Sequence, residues 1–323
     1  MNGQISKKSD YGSRSLKLET RIFLTIALLF FASLLSAQVS VADILPVTHI
    51  KFSNPQAVEI EGLPIGSDGT PISTEEPFLS RDNRFLFFNS GKEENNKDLH
   101  YAESINNKWI YKGQLGPDIN TVKEVEGNPT MDKNYNFFYI DSGVKSMVSM
   151  ARFSPEDGTL SMKHELEGIP ERKVALFKQR LYGNMGVEVS ADGSYLFFSR
   201  ATWKLHGFAI GTITESNILY MKKQSGRYVY NEKESEKIMR NVNTSDLEYA
   251  ASISSDGLEL FFTRVKIEDV ATGKIRSTIM HSTRTSITEA FGTPTMVEAI
   301  GSSDLVEGPA ISADGRELYY HKY

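Results

Sequence analysis

Four segments of the chain repeat one order of polar and hydrophobic positions. SRDNRFLFF begins at Ser80, SADGSYLFF at Ser190, SSDGLELFF at Ser254 and SADGRELYY at Ser312. In each segment a Ser stands two residues before an Asp, and a Phe/Tyr pair occupies the fifth and sixth positions after that Asp. Hydrophobic runs on both sides of a short polar cluster predict two strands joined by a tight turn.

The polar residues of the repeat suit the turn itself. The Asp is followed by Gly193, Gly257, Gly315 or Asn83, and these are the residue types that adopt a positive φ at low cost. Ser and Asp side chains hydrogen-bond turn backbone. We therefore interpret the recurring Ser and Asp as structural residues, and the aromatic pairs as core.

A fifth copy is degenerate. PTMDKN begins at Pro129 and leads into Tyr135-Asn136-Phe137-Phe138-Tyr139. Placing Asp132 at the Asp position keeps Phe137-Phe138 in register with the other aromatic pairs. Placing Asn134 at the turn Gly position is physically just as reasonable, and the sequence leaves both alignments open.

The spacing of the copies indicates the fold. With Asp132 as the marker of the degenerate copy, successive markers are 50, 60, 64 and 58 residues apart, and further strand-like sequence follows each hairpin. Repeats of this length with all-strand content indicate the blades of a β-propeller. We predict an all-β fold, a β-propeller of five four-stranded blades, as a single domain over residues 43–323.

Closure of the ring is predicted from the two ends of the chain. The last copy ends at Tyr323, so its blade lacks two outer strands. Two strand-like pieces, residues 48–53 and 57–61, are unassigned near the N-terminus. Adding them to the last blade would remove two exposed sheet edges. A sixth blade would have to come from residues 43–72, which lack the repeated pattern.

The first 42 residues have the organisation of a secretory leader. Basic residues precede position 22, residues 22–37 are uncharged and mostly apolar, and Ser40-Val41-Ala42 is a small-x-small cleavage pattern. Counted to Ala42, the uncharged run reaches 21 residues, about the length of a spanning helix. Residues 1–42 are therefore a signal peptide or an N-terminal membrane anchor. The predicted location is periplasmic or secreted, with an inner-membrane anchored protein as the alternative.

The charge and the cysteine and histidine content exclude several classes of partner and of chemistry. The net charge is −5, and residues 1–42 hold five Lys/Arg and two Asp/Glu, which leaves about −8 on the rest. An acidic body argues against nucleic acid as a partner and against membrane contact other than through an uncleaved leader. There is no cysteine, which excludes disulfides and thiolate chemistry. The six His show no metal-ligand spacing and no cofactor motif is evident, so we expect no metal and no cofactor.

The repeat resembles a known family. Ser-x-Asp-Gly followed by Leu-Phe-Phe, with Glu-x-Pro before it at Glu75–Pro77 and Glu307–Pro309, is similar to the WD-like repeat of TolB-like β-propellers. The stretch LGPDINT from Leu115, running toward Glu126-Gly127-Asn128-Pro129, adds to the resemblance, which covers about residues 75–323. It implies the fold and says little about activity, because this repeat serves binding proteins, lyases and peptidase accessory domains alike. TolB also has an N-terminal α/β domain, for which this chain has no room.

Departures from the repeat supply the candidate site. Glu188 is the only charged residue four positions before the repeated Asp, on a strand predicted to line the channel. It is either a ligand-binding or acid/base group or a solvated residue in a wet channel. Arg200 and Arg264 follow the second strand of their blades and could hold an anion.

The third blade, which contains Glu188, has the longest segment between its inner hairpin and its next strand. Residues 201–208, ATWKLHGF, separate its inner hairpin from the next strand and include Trp203 and His206. A connection this long with aromatic residues is typical of a binding loop, although it could equally be a rim loop that packs its own aromatics. If Glu188, Arg200, Trp203 and His206 meet at one mouth of the channel, the third blade holds the functional site.

The predicted function is a non-catalytic binding or scaffold module that holds a protein segment or a glycan at the channel mouth. The alternative is a carbohydrate-active enzyme, a glycoside hydrolase or lyase, in which Glu188 acts with Glu126, Asp141, Glu248 or Glu307. Two inner-strand carboxyl groups about 5–9.5 Å apart in an open pocket would favour the hydrolase. A further alternative is a structural module whose channel binds nothing.

Overall fold

A computed structural model describes residues 2–8, 52–66, 68–90, 97–206, 209–273, 275–303 and 305–322. The regular secondary structure in these ranges is mostly β-strand. No helix in them is long and apolar enough to span a membrane.

Among the described residues three strands precede the first repeat, and the first two repeats form four-stranded antiparallel units. The early strands are β1 (Asn2–Lys8), β2 (Phe52–Ala57) and β3 (Ile60–Glu61). The first unit contains β4 (Glu75–Leu79), β5 (Phe85–Asn89), β6 (Leu99–Ile105) and β7 (Lys108–Gln114). The second contains β8 (Glu126–Met131), β9 (Asn136–Asp141), β10 (Val148–Phe153) and β11 (Leu160–Glu165).

The third and fourth units are joined in one ten-stranded sheet by a single parallel bridge between Ser216 and Leu247. The third contains β12 (Lys173–Ala175), β13 (Arg180–Val189), β14 (Tyr195–His206), β15 (Ala209–Gln224) and β16 (Arg227–Tyr230). The fourth contains β17 (Leu247–Ile253), β18 (Glu259–Val265), β19 (Ser277–Thr283), β20 (Thr295–Met296) and β21 (Ser302–Ser303). The helices α1 (Glu232–Met239) and α2 (Ile267–Thr272) are short connections.

The last unit draws strands from both ends of the described chain. Its inner hairpin is β22 (Val306–Ile311) and β23 (Glu317–Lys322), and the sheet order is β22-β23-β1-β2. The predicted closure by N-terminal strands is therefore confirmed, but the strands differ from those expected. β2 covers part of residues 48–53 and ends at Ala57, whereas Ile60–Glu61 joins the first unit beside β7. Residues 48–51 lie outside the described residues.

β1 also comes from an unexpected segment, the one that the sequence assigns to a leader. It pairs with β23 from Asn2–Lys322 to Lys7–Glu317. Cleavage near Asp43 would remove β1 from this sheet. Export and cleavage stay predictions.

The innermost strands close into a ring. β4 contacts β8, β8 contacts β13, β13 contacts β17, β17 contacts β22, and β22 returns to β4. The β-propeller fold predicted from the repeat is confirmed. One end of the ring carries the Ser-x-Asp-Gly turns, and we call it the turn end; the other carries the first residue of each inner strand, and we call it the open end.

The aromatic pairs form the core between neighbouring units, as predicted. The first residue of a pair packs toward the following unit and the second toward the preceding one. Phe197 lies in a buried cluster with Phe262 of the fourth unit, and Phe198 in one with Phe138 of the second. The ring therefore needs both members of each pair, since each seam between units has its own hydrophobic cluster.

The segment predicted to be a binding loop in the third unit is instead a strand. β14 continues to His206 and pairs with β13 as far as Arg180–Lys204 and with β15 as far as His206–Ala209. Together with β12, these strands extend the third unit as an arm. Phe208 lies outside the described residues.

Candidate functional site

The turn end is held by the repeated Ser and Asp. Asp192 accepts hydrogen bonds from the Ser190 hydroxyl at 2.7 Å and from the Ser194 amide at 3.0 Å. Burial alone would raise the pKa of Asp192, but these hydrogen bonds outweigh it and the pKa is lowered. Gly193 has φ +69° and Gly257 +76°, the conformation that only Gly adopts without strain. The structural interpretation of the recurring turn residues agrees with these contacts.

The degenerate second copy has a shorter turn than its relatives. The Asp132 amide bonds the Asn136 carbonyl, four residues on, where the Ser190 amide bonds the Tyr195 carbonyl, five residues on. Asp132 thus occupies the Ser position, and Tyr135, with φ +62°, occupies the Gly position. Neither alignment considered from the sequence was right. The aromatic pair in register is Phe138-Tyr139.

Glu188 lies at the turn end and is fully engaged. Its Oε1 accepts from Arg81 Nη2 and from the Ile253 amide, both at 3.0 Å, and its Oε2 accepts from the Thr130 hydroxyl at 2.5 Å. The side chains of Arg81 and Glu188 are only 5% and 3% exposed. Glu188 is therefore neither a solvated channel residue nor a group free to bind a ligand.

Arg81 closes the turn end of the ring. From the first unit it also donates to the carbonyls of Met131 (3.1 Å), Val189 (2.7 Å) and Ile253 (3.3 Å), one from each of the next three units. The axial cavity that remains, lined by residues such as Glu76, has a volume of about 10 Å³. That is room for about one water molecule.

The open end is shaped by a bulge in every inner strand. Each shows a register shift near its start, between Glu75 and Phe78 in β4 and at the matching place in the others. Left-handed residues occupy the bulges of four strands: Glu76 (φ +49°), Asn128 (+46°), Ala250 (+50°) and Gly308 (+61°). Bulges re-aim side chains and are common beside functional sites, where strained backbone is retained.

Acidic residues recur at or just before these bulges: Glu75, Glu126, Glu248 and Glu307 in four units, with Asn184 in the third. They occupy two adjacent positions, because Glu75 and Glu307 lie five residues before the first residue of the turn, whereas Glu126, Glu248 and Asn184 lie six residues before it. The residues paired with them on the second strand are Asn89, Asp141, Arg264, His321 and Arg200, in the same order. Glu126, Glu248 and Glu307 were candidate carboxylates from the sequence, and Glu75 also had a signal there, in the Glu-x-Pro motif of the family resemblance.

Two of the four carboxylates pair with a cation, and a third contacts a tyrosine and a histidine. Arg264 Nε donates to Glu248 Oε1 at 2.8 Å, and Lys97 Nζ donates to Glu75 Oε2 at 2.7 Å. Glu307 accepts a hydrogen bond from the Tyr249 hydroxyl and lies 3.3 Å from His321 Nε2. The Tyr249 contact links the fourth unit to the fifth, and the Glu76 amide links the first unit to the fifth by donating to His321 Nδ1 at 3.1 Å.

The pKa shifts at the open end follow from this pairing. Burial acts to lower the pKa of Lys97, but the carboxylates of Glu76, Glu75 and Glu307 outweigh it and the pKa is raised. For Glu307 burial acts to raise the pKa, yet the contacts with His321 and Tyr249 lower it. Both groups are therefore held in their charged forms.

Glu126 is the exception. Its Oε1 accepts from the Thr121 hydroxyl at 2.9 Å, and its Oε2 has no hydrogen-bond partner among the described residues. Burial raises the pKa of Glu126 to about 7, and the nearby Asp141 and Asp98 add to the effect. A buried carboxyl group of this kind holds its proton to near neutral pH.

A large cleft opens at the seam where the last unit meets the first. Its volume is about 460 Å³, within the usual range for ligand sites. We call it the closure cleft. The side chains that line it include Val58, Ile60, Leu63, Ile72, Leu86, Phe88 and Tyr319, with Glu59, Glu75 and His321 as polar members.

The five predicted site residues are not brought together. Glu188 pairs with Phe197, three residues from Arg200 along β14, which is about 10 Å of strand. Trp203 and His206 lie further out, on the arm, and Arg264 is in the fourth unit with Glu248. Arg200 is at the open end, where it donates to the carbonyls of Pro170 and Glu171, both at 2.9 Å.

Two kinds of residue at the site were missed from the sequence. Arg81 is one, and its signal is the middle position of Ser-x-Asp, which is Ala191, Ser255 and Ala313 in the other regular copies. The residues that line the closure cleft are the other kind. They were missed because they come from residues 58–74, which lack the repeat, and from the first and last units, which are far apart in the sequence. Within the described residues, no cluster of three or more His, Asp and Glu could hold a metal ion.

A ring of bulged inner strands, closed at one end and open at the other, defines the chain as a β-propeller. No family model matches the sequence, and no curated protein matches it. Among solved structures it is similar to a provisionally assigned TolB from Agrobacterium tumefaciens, at 11% identity over 84% of this chain and 95% of that one, with a TM-score of 0.44.

Two further structures have comparable similarity. TolB from Acinetobacter baumannii is 12% identical over 84% of this chain and 59% of that one, with a TM-score of 0.39. An exo-1,5-alpha-L-arabinanase from a bovine ruminal metagenomic library is 14% identical over 73% and 79%, with a TM-score of 0.41. At these identities and TM-scores the comparisons say nothing about what this chain binds or catalyses.

Proposed function

We propose that this protein is an exported, non-catalytic β-propeller that binds a segment of a partner protein at the open end of its ring. The observation that carries the proposal is the closure cleft. It is concave, its walls are mostly apolar, and the Glu75 and His321 side chains lie at its polar side. Such a site accepts an apolar side chain and fixes the orientation of the segment through a few polar groups.

The composition of the walls favours a peptide over a glycan. Leu86 and Phe88 are buried parts of the core, and Val58, Ile60 and Leu63 pack against the same cluster. Sugars carry hydroxyl groups over most of their surface, and burying those groups against aliphatic walls without hydrogen bonds is costly. An apolar side chain gains free energy from the same walls.

The state of the inner-strand carboxylates supports binding over hydrolysis. Glu188 is held by Arg81, Glu248 by Arg264 and Glu307 by Tyr249 and His321. A glycosidase needs one carboxylic acid and one carboxylate that both reach the substrate. Glu126 has the raised pKa of a general acid, but its side chain is fully buried and it does not line the closure cleft.

The proposal is tested by screening the purified protein against arrays of envelope-protein peptides and of glycans. Leu63→Trp and Ile72→Trp each place an indole in the closure cleft, and Val229→Trp adds the same ring to an exposed strand of the third unit. We expect either cleft variant to weaken a detected peptide at least about tenfold, the scale of a lost anchor, while the control binds normally.

Three outcomes contradict the proposal. One is a glycan ligand without a peptide ligand, another is turnover of a glycan, and the third is normal peptide binding by both cleft variants at unchanged melting temperature. Export is tested separately, by N-terminal sequencing of protein made in a Gram-negative host. A start near Asp43 is expected, and full-length protein in the cytoplasm would contradict export.

A further inference from the structure

The arm of the third unit ends in an open strand edge. Within the described residues β12 pairs only with β13, so its other edge carries no strand. β12 is followed directly by one turn of 3-10 helix, Leu176–Lys178, and the strand and this turn both expose apolar side chains. Val174 is 54% exposed, Leu176 51%, and Phe177 is fully exposed. A free edge can pair with a strand of another chain, and natural edges are protected by charge, Pro or short length. β12 is short and carries Lys173, so a partner needs a second source of affinity beside main-chain hydrogen bonds.

The same edge borders a basic cleft. A cavity of about 310 Å³ lies beside it, lined by Lys173, Lys178, Arg200, Tyr182 and Ala175. Arg200 is half-buried and is held in place by the carbonyls of Pro170 and Glu171 and by Asn184 Oδ1. Its position is therefore fixed before any ligand arrives, which lowers the entropy cost of binding.

The cations of this cleft are not paired within the part of the chain that the structure describes. Among the described residues, no carboxylate forms an ion pair with Lys173, Lys178 or Arg200. The protein as a whole has a net charge of −5, so this concentration of positive charge stands out from the rest. A partner that matches it must be anionic.

We propose that the free edge of β12 and the basic cleft bind an extended acidic segment of a partner protein. The segment would add to β12 as a strand through main-chain hydrogen bonds. Its carboxylates would enter the cleft beside Arg200 and the two lysines, and its apolar side chains would cover Val174 and Phe177. This surface is separate from the closure cleft and does not depend on the function proposed for that cleft.

The test uses a fluorescein-labelled peptide of about ten residues with alternating Glu and Val, a length suited to strand addition. Its anisotropy is measured with the full chain at low and high salt, beside a Lys/Val peptide. We expect the acidic peptide to bind at least about tenfold more tightly than the basic one, and its affinity to fall with salt. A version with N-methylated alternate amides should not bind, because it cannot pair with a strand edge.

Variants locate the site. Lys173→Glu with Lys178→Glu should weaken binding by about tenfold or more, whereas Lys123→Glu with Lys233→Glu makes the same change in net charge at other exposed positions and should have little effect. Phe177→Ser should weaken binding without a change in melting temperature, since the side chain makes no buried contact.

Four results of the peptide experiments overturn the proposal. They are absence of binding by the acidic peptide, equal binding of acidic and basic peptides, full binding of the N-methylated peptide, and equal effects of the two double variants. Binding to phosphatidylglycerol vesicles that depends on Phe177, without peptide binding, also overturns it and assigns the edge to a lipid surface.

Discussion

The two ends of the ring are built from the same five inner strands but have opposite chemistry. At the turn end, Arg81 and Glu188 fill the axis with a buried ion pair whose donors and acceptors are engaged by four units. At the open end, each strand bulges, carboxylates recur and a cleft of about 460 Å³ adjoins them. One end is therefore arranged for stability and the other has space and charge for a ligand.

The largest expected difference between the ends comes from breaking the ion pair at the turn end. Arg81→Met leaves the Glu188 carboxylate buried without a cation, and we expect the free energy of unfolding to fall by about 3–5 kcal/mol. Arg84→Met is the matched control, because Arg84 pairs with Glu103 at 2.8 Å but is nearly half-exposed. It should cost less than about 1 kcal/mol.

Urea unfolding of both variants at neutral pH measures this difference. Similar losses for the two substitutions would show that Arg81 is an ordinary surface residue. Adding Glu188→Leu to Arg81→Met should recover part of the loss, since it removes the unpaired charge.

Glu126 gives the next largest effect, at the open end. Its pKa is raised from an ordinary 4.5 to about 7 in the folded protein. The folded state therefore loses stability relative to the unfolded chain as the pH rises from about 5 to about 7. The loss levels off above that range at about 3 kcal/mol.

Glu126→Gln removes this loss. The variant should be as stable as the parent near pH 5 and more stable by up to about 3 kcal/mol at pH 8. The free energy of unfolding of both proteins is measured from pH 5 to pH 8. The difference between them isolates the contribution of Glu126, because the other groups titrate alike in both. A difference in unfolding free energy that does not change with pH would contradict the assignment.

A smaller effect is expected at a turn glycine. Gly257 has φ +76°, and a Cβ there would lie 2.1 Å from the Tyr195 hydroxyl. Gly257→Ala should therefore cost about 2 kcal/mol or more, from the left-handed backbone and from the displaced tyrosine. Gly226 has φ +84° with no atom within 4 Å of a built Cβ, so Gly226→Ala should cost only the backbone part, about 1 kcal/mol. Equal melting temperatures for the two variants would rule out the steric part.

The smallest effect is expected from a repeated aspartate. Asp192→Ala removes hydrogen bonds from Ser190 and Ser194 in an exposed turn and should cost about 1 kcal/mol. Because the side chain belongs to the turn end, ligand affinity should not change. Loss of binding at unchanged stability would contradict the separation of the two ends.

The fold was predictable because its signal is local and repeated. Ser-x-Asp-Gly and the aromatic pair fall within nine consecutive residues, and each copy specifies its own hairpin. The partner of Glu188 was not predictable in this way, since Arg81 lies 107 positions earlier in the chain. Only a repeat alignment that examined the middle turn position would have singled out Arg81.

The arm shows a misinterpretation that the sequence could have prevented. From Ala201 to His206 apolar and polar residues alternate, with Ala201, Trp203 and Leu205 on one side of the alternation. That is the pattern of a strand, whereas the predicted loop was inferred from the length of the segment and its aromatic residues. The strand β1 could not be foreseen, because residues 2–8 precede the apolar run of the predicted leader.

The separation of the two ends is tested most directly by isothermal titration of one peptide from the screen into two variants. Glu188→Gln alters the turn end, and Leu63→Trp fills the closure cleft at the open end. The account predicts that Glu188→Gln melts at a lower temperature but keeps the parent affinity, whereas Leu63→Trp keeps its melting temperature and loses the peptide. Loss of affinity in Glu188→Gln with full binding by Leu63→Trp would place the site in the axis of the ring and contradict the account.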